Sequence, residues 1–272
     1  MAKTIFITGT STGLGKFTAQ YFAEQGWNVA ATMRSPEKET ELSIYENVKI
    51  FKLDVTDPVQ VAEAVAKATA AFGKIDVVVN NAGQGTYGAL ELIAEDAIDA
   101  QYAVNVRGPI NVTRAFIPHF RANGGGKFIN ISSYMGLFTA VPLGSLYNMS
   151  KFALEGFTEG LYYELKPLNI DLHLLEIGGF KGNNFVNNVT WGESSEIKDY
   201  DAITTKLKGL MGNRDNAMLS EPQLIVDEIF AIATGANNKF RNLVGEDTKG
   251  LQSMRDSLPL EEFLEKIDAM YK

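Results

Sequence analysis

The sequence predicts an α/β fold: a doubly wound parallel sheet of about seven strands with helices on both faces. Three observations carry this. Short β-branched and aromatic runs alternate with amphipathic runs along the chain, the order that builds strand–helix–strand units. The first such unit joins strand to helix through Gly9, Thr10, Ser11, Thr12, Gly13, Leu14 and Gly15. The run from Ile75 to Val79 is almost continuously apolar, the pattern of a central parallel strand covered on both sides.

A chain of 272 residues with 45% hydrophobic content can bury a substantial core, so one domain spanning 1–272 is expected. Cysteine is absent and the two histidines, His119 and His173, stand far apart, so no thiolate or clustered metal site is expected. A net charge of −8 without a basic run argues against a nucleic acid partner. The first eight residues pass directly into a β-rich run, and no apolar stretch reaches membrane-spanning length. A cytoplasmic setting is the resulting expectation.

The first strand, Lys3 to Thr8, feeds the glycine turn and a helix from about Lys16 to Gln25. Glycine lets the backbone turn sharply and approach a ligand closely, and the free amides at a helix start favour a phosphate. The same spacing also suits an ordinary tight turn. The second strand, Asn28 to Met33, ends in Arg34 rather than an acid. Arg34 can bond a ribose 2′-phosphate, or simply balance Glu37, Glu39 and Glu41 on the surface.

Val48 to Leu53 is the third strand. Asp54 after it can accept a bond from an adenine amino group or cap the next turn, while Asp57 and Pro58 open the next helix as N-cap and first residue. After the central strand, Asn80, Asn81, Ala82 and Gly83 can tie neighbouring strands together. Glu95 to Arg121 reads as one long helix containing Asn105, locally disturbed by Pro109. Phe128 to Ile131 is the fifth strand and ends in Ser132 and Ser133, on the side of a parallel sheet where ligands bind.

The run Ser145 to Leu165 reads as a long amphipathic helix, with Tyr147 and Lys151 four apart on one face. An ammonium beside a phenol, helped by a cationic cofactor, is expected to bring the phenol about two units toward neutrality, roughly 2.7 kcal/mol. Ile170 to Glu176 is the sixth strand. From 181 to 220 no strong period appears, so a substrate loop or lid is expected. Its Phe185, Trp191, Tyr200, Leu207, Leu210, Met211 and Met218 form either a pocket wall or the packing of the lid and a subunit contact. Glu221 and Pro222 begin another helix to about Thr234, Asn242 to Val244 is a last strand, and the tail reads as helical.

In these motifs the chain resembles the short-chain dehydrogenase/reductase family. Thr8 to Gly15 matches its TGxxxGxG turn, Asn80 to Gly83 its NNAG run, Ser133 its active-site serine, and Tyr147 to Lys151 its YxxxK motif. The resemblance implies a single-domain Rossmann fold and an NADP(H)-dependent oxidoreductase interconverting a hydrophobic ketone or aldehyde and an alcohol. By resemblance, Tyr147 is the general acid or base, Lys151 lowers its pKa and binds the nicotinamide ribose, Ser133 holds the substrate oxygen, and Asn105 bends its helix. Gly9, Ser11, Thr12, Gly13, Leu14, Gly15, Arg34, Asp54, Val55, Asn81, Ala82, Gly83 and Gly178 are the implied cofactor residues, and Phe185 joins the implied substrate site.

The alternatives are a dinucleotide-binding regulator without turnover and an epimerase or dehydratase. The segment Arg241 to Asp247 resembles members acting on hydroxysteroids and other hydrophobic alcohols. Two departures stand out: Ile177 and Gly182 occupy the places of the family's usual proline and threonine, and the serine-to-tyrosine spacing is one residue long, which leaves Ser132 as a substitute for Ser133. A homodimer or homotetramer is implied.

Overall fold

The computed structural model describes residues 2–212 and 219–272. Seven strands form one parallel sheet in the order β3-β2-β1-β4-β6-β7-β9: β1 (Thr4–Thr8), β2 (Asn28–Met33), β3 (Val48–Lys52), β4 (Val77–Asn80), β6 (Gly126–Ser133), β7 (Ile170–Ile177) and β9 (Arg241–Val244). The chain starts in the middle with β1, runs outward to β3, then returns to β4 and continues the other way. Because the order reverses between β1 and β4, their carboxyl ends open a crevice, the usual ligand site of such sheets.

Side chains of the central strands alternate between two cores, as the pleat requires. Ile5, Ile7, Val77, Val79 and Ile129 pack with Phe22, Ile225 and Ile229, beneath α1 (Gly13–Glu24) and α7 (Pro222–Thr234). Phe6, Val78 and Phe128 face the other way, toward Phe116 and Phe120 of α4 (Gly108–Ala122) and Leu161 and Leu165 of α5 (Ser145–Leu165). Phe116 and Phe120 are fully buried, each worth about 2–3 kcal/mol of apolar transfer. The helix α2 (Pro58–Phe72) starts as expected, with Asp57 accepting from the amides of Val59 and Gln60.

The helix expected over Glu95 to Arg121, with its disturbance at Pro109, is present as α3 (Glu95–Tyr102) and α4, joined by a π-helical turn over Ala103–Arg107 that contains Asn105. Gly108 donates to the Ala103 carbonyl five residues back, and Pro109 has no N–H with which to continue the regular ladder. The 181–220 stretch is less irregular than its sequence. It contains β8 (Thr190–Trp191), paired in parallel with β5 (Thr86–Tyr87), and α6 (Asp201–Gly212). Strands of two residues are too short to show alternation. The tail folds into α8 (Glu246–Ser257) and α9 (Leu260–Tyr271). Among the described residues, no helix is long and apolar enough to cross a membrane.

Candidate active site

A cavity of about 880 Å³ lies along the carboxyl ends of β1, β2, β4, β6 and β7. Its lining gathers Gly9, Ser11, Thr12, Gly13 and Leu14 at one end with Arg34, Asp54 and Val55, then Asn81, Ala82 and Gly83, and then Ser133, Tyr147, Lys151, Gly178 and Phe185. Residues from eight separate segments of the sequence thus meet at one wall.

The glycine turn fits a nucleotide for steric reasons. Gly9 and Gly13 have φ of +71° and +57°, a region in which side chains are strained. Gly15 does not line the cavity. A Cβ there would stand 2.3 Å from the Gly9 carbonyl oxygen, so this glycine lets α1 start directly beneath the turn. Thr12 makes no side-chain cap, which leaves the first amides of α1 and the positive end of its dipole facing the cavity. Asn81 locks the opposite side by donating to the carbonyls of Thr8 (2.8 Å) and Gly9 (3.0 Å). Asn80 ties β4 to β6 through Asn130 at 2.8 Å.

Two of the three acids in the surface alternative for Arg34 are taken by another cation. Glu39 and Glu41 both pair with Lys16, at 3.2 and 2.9 Å, and no ion pair to Arg34 is found among the described residues. Arg34 is exposed at the cavity edge. Asp54 caps its turn, Oδ1 accepting from the amide and hydroxyl of Thr56, while the residue still borders the cavity.

Asn105 stands behind the wall. Its amide accepts from Gln84 N–H (2.9 Å), donates to the Gln84 carbonyl (2.9 Å) and donates to Ser150 Oγ (3.1 Å). It therefore clamps the main chain after Gly83 to the helix that carries Tyr147. Ser132 and Ser133 are placed differently, because neighbouring strand residues point to opposite faces. Ser133 meets the Tyr147 hydroxyl, whereas the Ser132 hydroxyl turns toward Glu155.

Burial raises the Tyr147 phenol above its ordinary range, and the Ser133 hydroxyl only partly opposes this. The expected lowering by Lys151 is not produced by the chain's own groups. The ammonium sits over the ring face, 5.7 Å from its centroid, and donates to the Ile131 carbonyl at 2.9 Å. Lys151 is itself pushed down to about 8 by burial, against the opposing pull of Glu155. Tyr147 is accordingly a neutral phenol at pH 7 in the chain alone.

Around Tyr147, Tyr87 and Tyr271 gave no signal in the sequence, while Phe185, Leu207, Leu210 and Met211 were among the expected wall residues. Tyr87 stacks on the Tyr147 ring with centroids 5.7 Å apart, and Phe185 meets it edge-on at 5.3 Å. Leu207, Leu210 and Met211 of α6 and Tyr271 of α9 complete an apolar end. Trp191 packs on Tyr87, and Tyr200 bonds Glu91. Met218 lies outside the described residues. Gly182 packs against Phe17 instead of lining the cavity, while Asn183 and Asn184 border it.

A glycine turn under a helix start, a parallel sheet with its crevice at the β1/β4 switch, and a serine, tyrosine and lysine at one wall define a dinucleotide-fold oxidoreductase. The chain belongs to the short-chain dehydrogenase family, whose model matches residues 3–193. It is 36% identical over 243 residues to a 3-ketodihydrosphingosine reductase of Bacteroides thetaiotaomicron, covering 89% of this chain and 87% of that one. Among solved structures, a short-chain dehydrogenase from Streptomyces avermitilis superposes with a TM-score of 0.81 at 29% identity, over 97% of both chains. ElxO, solved with NADP bound, gives 0.72 at 28% identity over 89% of this chain and 96% of its own.

Proposed function

We propose that this chain is an NADP(H)-dependent carbonyl reductase, or an alcohol dehydrogenase in the reverse direction, acting on a hydrophobic ketone or aldehyde. One observation carries the reading: the Tyr147 and Ser133 hydroxyls meet in the cavity with Lys151 beside them, between the glycine turn and an apolar end. The turn, Arg34 and Asn81 to Gly83 would hold the dinucleotide, with Arg34 on a 2′-phosphate. A dinucleotide bound there supplies the hydride.

Ser133 holds the substrate oxygen by its hydroxyl, and Tyr147 gives its proton to that oxygen as negative charge builds. A phenol kept neutral by burial suits this direction. The Lys151 ammonium then favours the phenolate left behind. Tyr87, Phe185, Leu207 and Met211 exclude water from the reacting end and accept an apolar substrate. The chain works as one domain with residues 181–212 over the substrate, on the cytoplasmic NADPH pool. Exposed Met149, Phe152 and Tyr163 on α5 support an even-numbered homo-oligomer through α4 and α5.

The test is NADPH consumption across a panel of apolar ketones and aldehydes. Tyr147→Phe should keep NADPH binding and lose turnover by 100-fold or more; equal turnover in both proteins sinks the proposal. The position of Gly182 against Phe17 favours a second reading, a dinucleotide-binding regulator. Tight NADPH binding with no turnover on the whole panel would select it.

A further inference from the structure

Behind Lys151, on the side away from the cavity, two buried acids surround one guanidinium. Glu155 follows Lys151 by one turn on the same face of α5 and is 4% exposed, while Glu176 on β7 is 1% exposed. Arg241 of β9 reaches in from the surface. Its Nε lies 3.1 Å from Glu155 Oε2 and 3.6 Å from Glu176 Oε1, and its outer nitrogen meets Glu159 at 3.1 Å. Glu176 also accepts from the Asn242 amide at 2.9 Å. One oxygen of each buried acid, Oε1, closes no hydrogen bond, and the Ser132 hydroxyl faces Glu155 without closing one.

Two buried carboxylates sharing one partly exposed cation are costly, and apolar side chains at these positions would pack more cheaply. Their placement is not random with respect to the site. Gly136 brings the cluster together: a Cβ there would touch Ser132 Oγ, the Glu155 side chain and the Lys151 carbonyl, all within 3.1 Å. The titratable and charged groups around it are Tyr147, Lys151 and Glu159 on α5, Glu176 on β7, Arg241 on β9 and Tyr134 in the turn after β6.

We propose that Glu155, anchored by Arg241 and backed by Glu176, is a positioning residue whose buried negative charge keeps Lys151 an ammonium beside Tyr147. The proposal rests on the roles given above to Tyr147 and Lys151. Among the described residues Lys151 donates to a main-chain carbonyl and closes no ion pair, so burial drives it toward the neutral amine. The opposing influence is Glu155, four residues on, acting through an interior where charges are felt strongly. Burial pushes the Glu155 carboxyl up and Arg241 and Lys151 pull it back down, while Glu176 is pushed up to about 7 by its burial and by the Glu155 charge.

The experiment titrates lysines labelled at Cε by NMR, with the Lys151 signal assigned by its loss in Lys151→Met, alongside the pH profile of kcat/KM for ketone reduction. Glu155→Gln should move both the Lys151 titration and the alkaline fall in kcat/KM down by about one pH unit. Glu155→Asp should restore most of the shift. The double variant E155L/R241M replaces the ion pair with apolar packing. It should shift in the same direction, because the acid it removes lies one turn from Lys151.

A Lys151 titration unchanged in Glu155→Gln, or in the double variant if Glu155→Gln does not fold, overturns the inference. A shifted titration in a protein that reduces no carbonyl would instead leave the charge coupling standing and sink the proposed function.

Discussion

Gly15 offers a direct probe of the nucleotide end. A methyl group placed there would stand 2.3 Å from the Gly9 carbonyl oxygen and 2.5 Å from Asn81 Nδ2, both inside ordinary contact distance. Neither neighbour can give way freely. The Gly9 carbonyl belongs to the turn, and Asn81 Nδ2 already donates at 2.8 and 3.0 Å to the carbonyls of Thr8 and Gly9. The start of α1 would have to lift by about 1 Å. Overpacking of this kind costs about 1–3 kcal/mol, and weakening the two Asn81 bonds adds about 1 kcal/mol.

For a chain of this size, a loss of about 2–4 kcal/mol lowers the melting temperature by roughly 5–10 °C. The same displacement spoils the amide cradle, so NADPH affinity should fall at least tenfold. Thermal unfolding and a fluorescence titration with NADPH read the two effects. Gly250→Ala is the control: it lies in α8 with nothing within 4 Å of an added Cβ, and should stabilise by about 0.5–1 kcal/mol. A Gly15→Ala protein that melts and binds NADPH like the wild type would refute this account of the turn.

Arg34→Glu should lower the preference for NADPH over NADH by tenfold to a hundredfold, since a charge-assisted bond is worth about 1.5–3 kcal/mol; an unchanged ratio in binding titrations removes Arg34 from the cofactor site. Asn105→Ala breaks the three hydrogen bonds to Gln84 and Ser150 and should cost about 2–3 kcal/mol in urea unfolding. Glu176 supplies a pH signature. Its folded pKa is raised from 4.5 to about 7, so the folded chain holds a proton that the unfolded chain releases earlier, and stability falls as pH rises between those values. The upper limit of that fall is about 3 kcal/mol. Unfolding free energies measured from pH 5 to 7.5 should slope less in Glu176→Gln than in the wild type, and identical slopes would contradict the burial argument.

The sequence by itself determined what depends on neighbours along the chain. The glycine turn, the Asp57–Pro58 helix start, the run Ser145 to Leu165 with its phenol and amine one turn apart, and the apolar strands all follow from local spacing and turn chemistry. The fold class follows from the order of those elements. Only the tertiary structure decided the rest.

Whether Ser132 or Ser133 meets Tyr147 depends on which face of β6 each occupies. Whether Arg34 is free depends on Lys16, from another helix, taking Glu39 and Glu41. Tyr87 and Tyr271 reach the cavity from segments almost two hundred residues apart, and the two-residue strand that carries Tyr87 shows no period. In the chain alone, burial holds the Tyr147 phenol above its ordinary range, because proximity along a helix is visible in a sequence and desolvation is not. Burial is a property of everything packed around a group, and it exists only once the chain has closed upon itself.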